Sequence, residues 1–168
     1  MAVIKGNELM LFLTSNGVTK SIAYATSHTM NISADAKAIS SKDSEGGFTD
    51  SEVGLLSWTV NSENLMANSG NGYVFDDLFD LMLAKEKIDV VFTRRSGGVN
   101  GSITENGWTV GTETQYKGQV IITSLEQSAS NEDNATMKVD MTGCGKLEKV
   151  TVTSASTKST TSTTTSSK

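Results

Sequence analysis

Apolar and polar residues alternate along most of this chain, with one stretch where the period lengthens to that of a helix. Residues 8–14 put Leu9, Leu11 and Leu13 on one side and Met10 and Phe12 on the other, which predicts a strand covered on both faces. Asn16-Gly17 follows, the pair that most favours a tight hairpin because both central residues need positive φ. A return strand is predicted over residues 19–26. A third follows over 29–34, with Met30, Ile32 and Ala34 on one face, and a short polar one over 37–40. Residues 56–64 alternate Leu56, Trp58 and Val60 against Ser57, Thr59 and Asn61, the mark of a half-buried strand. From 73 to 86 the pattern changes: Phe75, Leu78, Phe79 and Met82 recur at helical spacing, behind a Ser-Gly-Asn-Gly break in which Asn71 is a candidate cap. Asp76, Asp77 and Asp80 near the start, with Lys85 and Lys87 near the end, suit the dipole of that helix. Ile88, Val90 and Phe92 then alternate on a strand, and residues 116–147 form a last pair of strands around a polar turn. In the second of these Met137, Val139 and Met141 oppose Lys138, Asp140 and Thr142, ahead of Gly143 and Gly145. The predicted core is thus Leu11, Trp58, Phe75, Leu78, Phe79, Met82, Val90, Phe92, Met137, Val139 and Met141.

Two polar stretches interrupt this pattern. Residues 42–53 carry five charges, two glycines and one aromatic, Phe48. Residues 94–111 are rich in Gly, Ser and Asn and have room for a small hairpin around Trp108. Loops of this length inside a compact domain are usually functional or disordered. The first is either a mobile solvated loop or a contact arm, anchored by Phe48, that orders only against a neighbour. As contact residues the two stretches offer Lys42, Asp43, Glu45, Phe48, Asp50 and Glu52 in the first, and Arg94, Arg95 and Trp108 in the second. After Val152 the chain is almost wholly Ser and Thr, too polar to offset its own ordering entropy. The expected organisation is one domain over residues 1–150 and a tail over 151–168 that is flexible when unassembled.

Composition removes several classes of function. A net charge of −5, with Arg94-Arg95 the only arginine pair, leaves no basic cluster of the kind that grips duplex phosphates. A single cysteine, Cys144, rules out an internal disulfide and fits a reducing compartment. No stretch approaches the ~20 apolar residues of a membrane span, and the first residues do not read as a signal peptide. Proline is absent, so every backbone N–H past the first residue is free to join a ladder.

Candidate chemistry is thin. The Asp76, Asp77, Asp80 group has no histidine or further acid at a spacing that would complete a metal or acid–base site, and dipole complementation accounts for it. His28, the only histidine, is placed at a turn before a strand, and a lone histidine is weak evidence for a triad. Cys144 lacks the basic neighbours that would activate a thiol and reads as a small buried hydrophobe. Gly70-x-Gly72 lacks the third glycine and the lysine of a phosphate loop. No catalytic residue, cofactor site or metal site is expected.

Four segments, in order, carry a resemblance: residues 21–44 (SIAYATSHTMNISADAKAISSKDS), 54–65 (GLLSWTVNSENL), 73–92 (YVFDDLFDLMLAKEKIDVVF) and 116–147 (YKGQVIITSLEQSASNEDNATMKVDMTGCGKL). Over roughly residues 5–150 the chain resembles the major tail tube proteins of long-tailed bacteriophages. The resemblance implies a mainly β fold, a sandwich or partial barrel of antiparallel strands with one flanking helix and long assembly loops. It implies hexameric rings whose inner sheets join edge to edge around a lumen and stack into a tube. The partners it implies are further copies of the chain, the tape-measure protein, a tail terminator and baseplate or tip proteins, with DNA passing through transiently and no membrane insertion. The location it implies is the phage tail of the virion, after synthesis in the host bacterial cytoplasm. Relatives with an added immunoglobulin-like domain carry it where this chain has its Ser/Thr tail. A competing reading is a monomeric or surface-displayed β domain, adhesin- or pilin-like, with that tail as a stalk; the missing signal peptide argues against it.

Overall fold

The computed structural model describes residues 3–39 and 48–151. Seven strands form one antiparallel sheet: β1 (Leu9–Ser15), β2 (Val18–Ser21), β3 (Ala25–Ile39), β4 (Asp50–Leu65), β5 (Ile88–Arg94), β6 (Gln115–Ser128) and β7 (Thr136–Val150), with one helix, α1 (Phe75–Ala84), between β4 and β5. The strand order is β2-β1-β5-β6-β7-β4-β3. Asn16 and Gly17, at φ 51 and 76, close the β1–β2 hairpin in the conformation their pairing predicts.

Connectivity explains the shape of the sheet. β2 and β3 are its two opposite edges, yet only residues 22–24 join them. With consecutive Cα atoms about 3.8 Å apart, the edges lie within about 15 Å of each other at this link. The sheet is therefore rolled into a partial barrel. Inside it lie Leu11 and Leu13 of β1, Ile88, Val90 and Phe92 of β5, Val120 and Ile122 of β6, Met137, Val139 and Met141 of β7, and Trp58 and Val60 of β4, all buried in one cluster. Leu78 of α1 and Tyr73 before it join the same cluster.

Trp58 accounts for one glycine in β6 and one in β7. Its indole lies over Gly118 and Gly143, where an added Cβ would overlap the ring, and its Nε1 donates to the Gly145 carbonyl at 3.0 Å. Gly145 itself has φ 77, a left-handed conformation that glycine adopts at no steric cost.

Several elements differ from expectation. The strands expected over 19–26, 29–34 and 37–40 become β2 and a long β3 that runs unbroken to Ile39. β4 starts at Asp50, so Asp50, Glu52 and Val53 belong to a strand rather than a loop. The alternation there is broken by a bulge: Leu56 pairs with Ala34 but Val53 with Ala36, so β4 carries one extra residue around Gly54 and Leu55. The helix is shorter than 73–86, because Tyr73 is held extended by backbone hydrogen bonds to Ser21 and Ala23. Asn71 does not cap it; the Asp77 carboxylate accepts from the Val74 N–H at 3.2 Å, and Lys85 ends it at φ 55. Phe79 is not core. It is 47% exposed and stacks on Phe75, while Phe75 and Met82 are only partly buried, so Leu78 alone of that quartet is enclosed. The helix rests on the barrel by a narrower stripe than its apolar arc. Arg94 is the last residue of β5, paired with Leu9 of β1, and not a loop residue.

Candidate assembly surfaces

β4 pairs with β7 only over residues 59–65, and toward its start it pairs with β3 alone. Residues 31–39 and 50–58 thus leave the sheet as a two-stranded ribbon, about 30 Å long at ~3.3 Å per residue. Its two faces differ in kind. On β3 the core-facing series Met30 and Ile32 continues through Ala34, Ala36 and Ala38. On β4, Val60 and Trp58 continue through Leu56, and the bulge then turns Val53 to the same face. The other face is mostly polar, with Asn31, Ser33, Asp35 and Lys37 across from Thr59, Ser57 and Glu52. The apolar face is an extension of the barrel core that nothing in the described chain covers: Val53 is 75% and Leu56 72% exposed, and Leu55, in the bulge opposite Asp35, is 78% exposed.

Of the contact residues expected from the sequence, Asp50 and Glu52 lie at the far end of this arm and Phe48 just beyond it, 82% exposed. Lys42, Asp43 and Glu45 lie outside the described residues, as does the Ser/Thr tail from residue 152.

The second expected group does not form one surface. Arg94 is a tie within the fold: its guanidinium donates to Glu113 at 2.6 Å and to Glu8 at 2.6 Å, fastening the end of β5 to the turn before β1 and to the segment before β6. Hydrogen bonds to Glu113 and Glu8 raise its pKa further above the ordinary arginine value. Arg95 instead lies over Trp108, its Cζ 3.8 Å from the ring centroid, with Nε donating to the Gly98 carbonyl at 2.8 Å. Trp108 is set in place by a tight turn, residues 104–107, whose chain docks on β2: the Trp108 N–H donates to Ser21 Oγ at 2.9 Å and the Ser21 N–H to the Asn106 carbonyl at 3.2 Å. Arg95 and Trp108 border a recess of about 660 Å³ whose lining includes Met10, Ile22, Tyr24, His28 and Ile103.

Sequence reasoning missed a polar trio in which Ser62 and Asn64 are buried and His28 partly so. His28 lies within β3, not at a turn, directly across from Ser62 of β4. His28 Nδ1 and Ser62 Oγ are 3.0 Å apart, and Ser62 Oγ donates to Asn64 Oδ1 at 2.9 Å. His28 Nε2 and Asn64 Nδ2 are enclosed and find no partner among the described residues. Burial lowers the His28 pKa to about 4. The even spacing of Val60, Ser62 and Asn64 was the available signal, since it puts two polar residues on a core face. Cys144, expected to be buried, is partly exposed in β7, its Sγ 3.9 Å from the Thr142 carbonyl oxygen. Among the described residues no group of three His, Cys, Asp or Glu side chains comes together.

The model of the phage tail tube protein family matches residues 3–149. No curated protein sequence matches the chain. Among solved structures, the tail of an empty gene transfer agent particle, refined with helical C6 symmetry, is similar with TM-score 0.67 and 16% identity over 87% of this chain and 98% of that one. The SPP1 tail tube, from solid-state NMR and cryo-EM, is similar with TM-score 0.62 and 12% identity over 89% of this chain and 80% of that one. The sheath–tube complex of an extracellular contractile injection system in its extended state gives TM-score 0.59 and 14% identity over 89% and 93%. At these identities the structural likeness is one of fold, and it is the family match over nearly the whole length that decides: this chain belongs to the phage tail tube protein family.

Proposed function

We propose that the protein is a non-enzymatic structural subunit that closes into hexameric rings and stacks them into the tail tube of a virion. In this reading the tube is built around a tape-measure protein, closed by terminator and baseplate or tip proteins, and later passes DNA. Residues 1–150 are the tube-forming domain and 151–168 a tail appended to it. The subunit is made in the host cytoplasm before assembly. The observation that carries the reading is the arm: an amphipathic ribbon whose apolar face prolongs the core and lies open in the single chain. Each of Val53, Leu55 and Leu56 would contribute about 1.5–3 kcal/mol if fully covered, an exposure a soluble monomer has no reason to keep. A neighbouring copy is the fitting cover, because a contact between unlike surfaces closes into a ring or propagates as a filament. The edges of the sheet add unpaired N–H and C=O groups that another chain can complete. Support also comes from the C6 symmetry of the gene transfer agent tail and from the cap, terminator and baseplate assemblies in which similar folds occur. A net charge of −5 suits a conduit in which phosphates should not stick.

The test is deletion of residues 44–51, which removes the end of the arm. The expected product has the circular dichroism of the full chain but elutes as a monomer and shows no tubes by negative-stain microscopy. Normal tubes from this variant would sink the proposed role of the arm.

A further inference from the structure

Asparagine followed by glycine occurs four times in this chain, at Asn16-Gly17, Asn71-Gly72, Asn100-Gly101 and Asn106-Gly107. Such a pair has a chemistry of its own, because glycine, lacking a Cβ, leaves its backbone nitrogen unshielded beside the asparagine amide. The nitrogen attacks Cγ and gives up its proton to water, an N–C bond forms, and the Cγ–Nδ2 bond breaks as ammonia leaves. Water then opens the five-membered succinimide at either carbonyl, giving aspartate or isoaspartate. The reaction requires a glycine N–H without an acceptor and a peptide free to rotate toward the side chain.

The fold denies this to three of the four pairs. The Gly101 N–H donates to the Gly98 carbonyl at 3.3 Å and the Gly107 N–H to the Thr104 carbonyl at 3.0 Å. The Asn106 carbonyl also accepts from the Ser21 N–H at 3.2 Å, so that peptide is held from both sides. Gly72 is buried: a Cβ on it would lie 2.3 Å from the Ser21 carbonyl oxygen, and the Tyr73 N–H donates to that same oxygen at 2.9 Å. Its peptide has no room to turn.

Asn16-Gly17 differs on each count. Both residues are exposed, and a Cβ on Gly17 would meet nothing within 4 Å. The pair is the whole loop beyond Ser15 and Val18, the last partners of the β1–β2 ladder. At φ 51 and 76 it forms a type I′ turn, and the Gly17 N–H has no acceptor among the described residues. Types I′ and II′ both close two-residue hairpins and differ by rotation of the peptide between the central residues. That rotation carries the Gly17 nitrogen around the Asn16 Cα–C bond, toward the side chain, without unpairing either strand.

We propose that Asn16 is a modification site at which the folded protein deamidates to aspartate and isoaspartate, with water as the sole co-reactant. The change matters locally in two ways. Isoaspartate routes the main chain through the former side chain and adds a backbone carbon to a two-residue loop beside β2, an edge of the sheet. Either product adds a carboxylate to a recess that Asn16 shares with Asp77, Asp80 and Glu86, between the hairpin and α1. Like charges there repel, so the modified hairpin is held less firmly against the helix.

The test is peptide mapping by mass spectrometry after the purified, folded protein is held for several days at mildly alkaline pH. Tryptic peptides 6–20, 43–85 and 96–117 carry the four pairs, and fragment ions locate the change. Conversion at Asn16 should run several-fold faster than at Asn71, Asn100 or Asn106, with part of the product resistant to a protease that cuts before aspartate. In denaturant all four should convert at comparable rates, which would make the selection a property of the fold. Equal or faster conversion at any of the other three in the folded protein would overturn the proposal. So would an Asn16 that stays intact in the folded protein and converts in denaturant. Asn16→Gly keeps a loop that type I′ accepts and removes the reacting amide. It should abolish the main acidic species that ion-exchange chromatography resolves from aged wild type; that species accumulating at an unchanged rate would place the reaction elsewhere.

Discussion

Trp58 and the two glycines beneath it set how closely β6, β7 and β4 approach. A Cβ at Gly143 would fall within the indole ring, and the indole cannot retreat without breaking its hydrogen bond to the Gly145 carbonyl. Gly143→Ala should therefore cost about 3 kcal/mol by overpacking, read as a lowered melting temperature of the isolated subunit. Gly6→Ala, at a position with open space around it, is the control and should change little. His28 makes a prediction of a different sign. Its pKa is lowered from 6.5 to about 4 in the folded chain, so between those values the unfolded chain binds a proton that the folded one refuses. Stability is then full above the unfolded value and falls as the pH drops toward the folded one, by about 3 kcal/mol at most. Denaturant titrations at about pH 7 and about pH 5, on either side of the ordinary histidine pKa, should show this loss in the wild type, and His28→Gln should flatten it. An equal slope in both proteins would show that carboxylates alone govern the acid limb.

At the scale of elements, helix and arm both present more apolar surface than the fold uses, for different reasons. α1 buries Leu78 completely and leaves Phe79 to solvent. Leu78→Ala should cost about 2–5 kcal/mol, within the range of large-to-small core changes, while Phe79→Ala should cost well under that; equal losses in thermal melts would restore the helix arc expected from periodicity. The arm should respond the opposite way. Leu56→Asp, and Val53→Asp beside it, should leave the subunit folded and abolish its assembly, as seen by size-exclusion chromatography with microscopy. This contrast also marks what the sequence could reveal. Strands with unbroken alternation were legible, such as those bearing Leu11, Val90 and the series Met137, Val139 and Met141, and so was the Asn16-Gly17 turn. The arm was not, because the extra residue at Gly54 and Leu55 shifts the parity of β4 and makes Asp50, Glu52 and Val53 read as loop. Nor could local pattern show that Arg94 is claimed by Glu8, 86 residues away, or that His28 faces Ser62 on the neighbouring strand. Those pairings follow from the roll of the sheet and the register of its long strands, which no short window encodes.

The whole molecule is a closed core with an open extension, and the two should separate thermodynamically. Anything that binds the folded subunit and not the unfolded chain raises its apparent stability by mass action, and the strongest candidate here is another copy. If docking covers Ile32, Val53, Leu55 and Leu56 even partly, a gain of about 3–5 kcal/mol per subunit is reasonable. For a chain of this size each kcal/mol moves the melting temperature by roughly 2–4 °C. Assembled tubes should then melt about 10 °C above the subunit lacking residues 44–51, given that gain and that slope. Their melting temperature should also fall on dilution, while that of the deletion variant should not move. Of the deleted residues, the described ones, 48–51, lie outside the core cluster, so the barrel should have no part in the difference. A concentration-independent melting temperature shared by both proteins would mean that the apolar face of the arm finds no cover in the tube, and the arm would then have to be explained by something other than assembly.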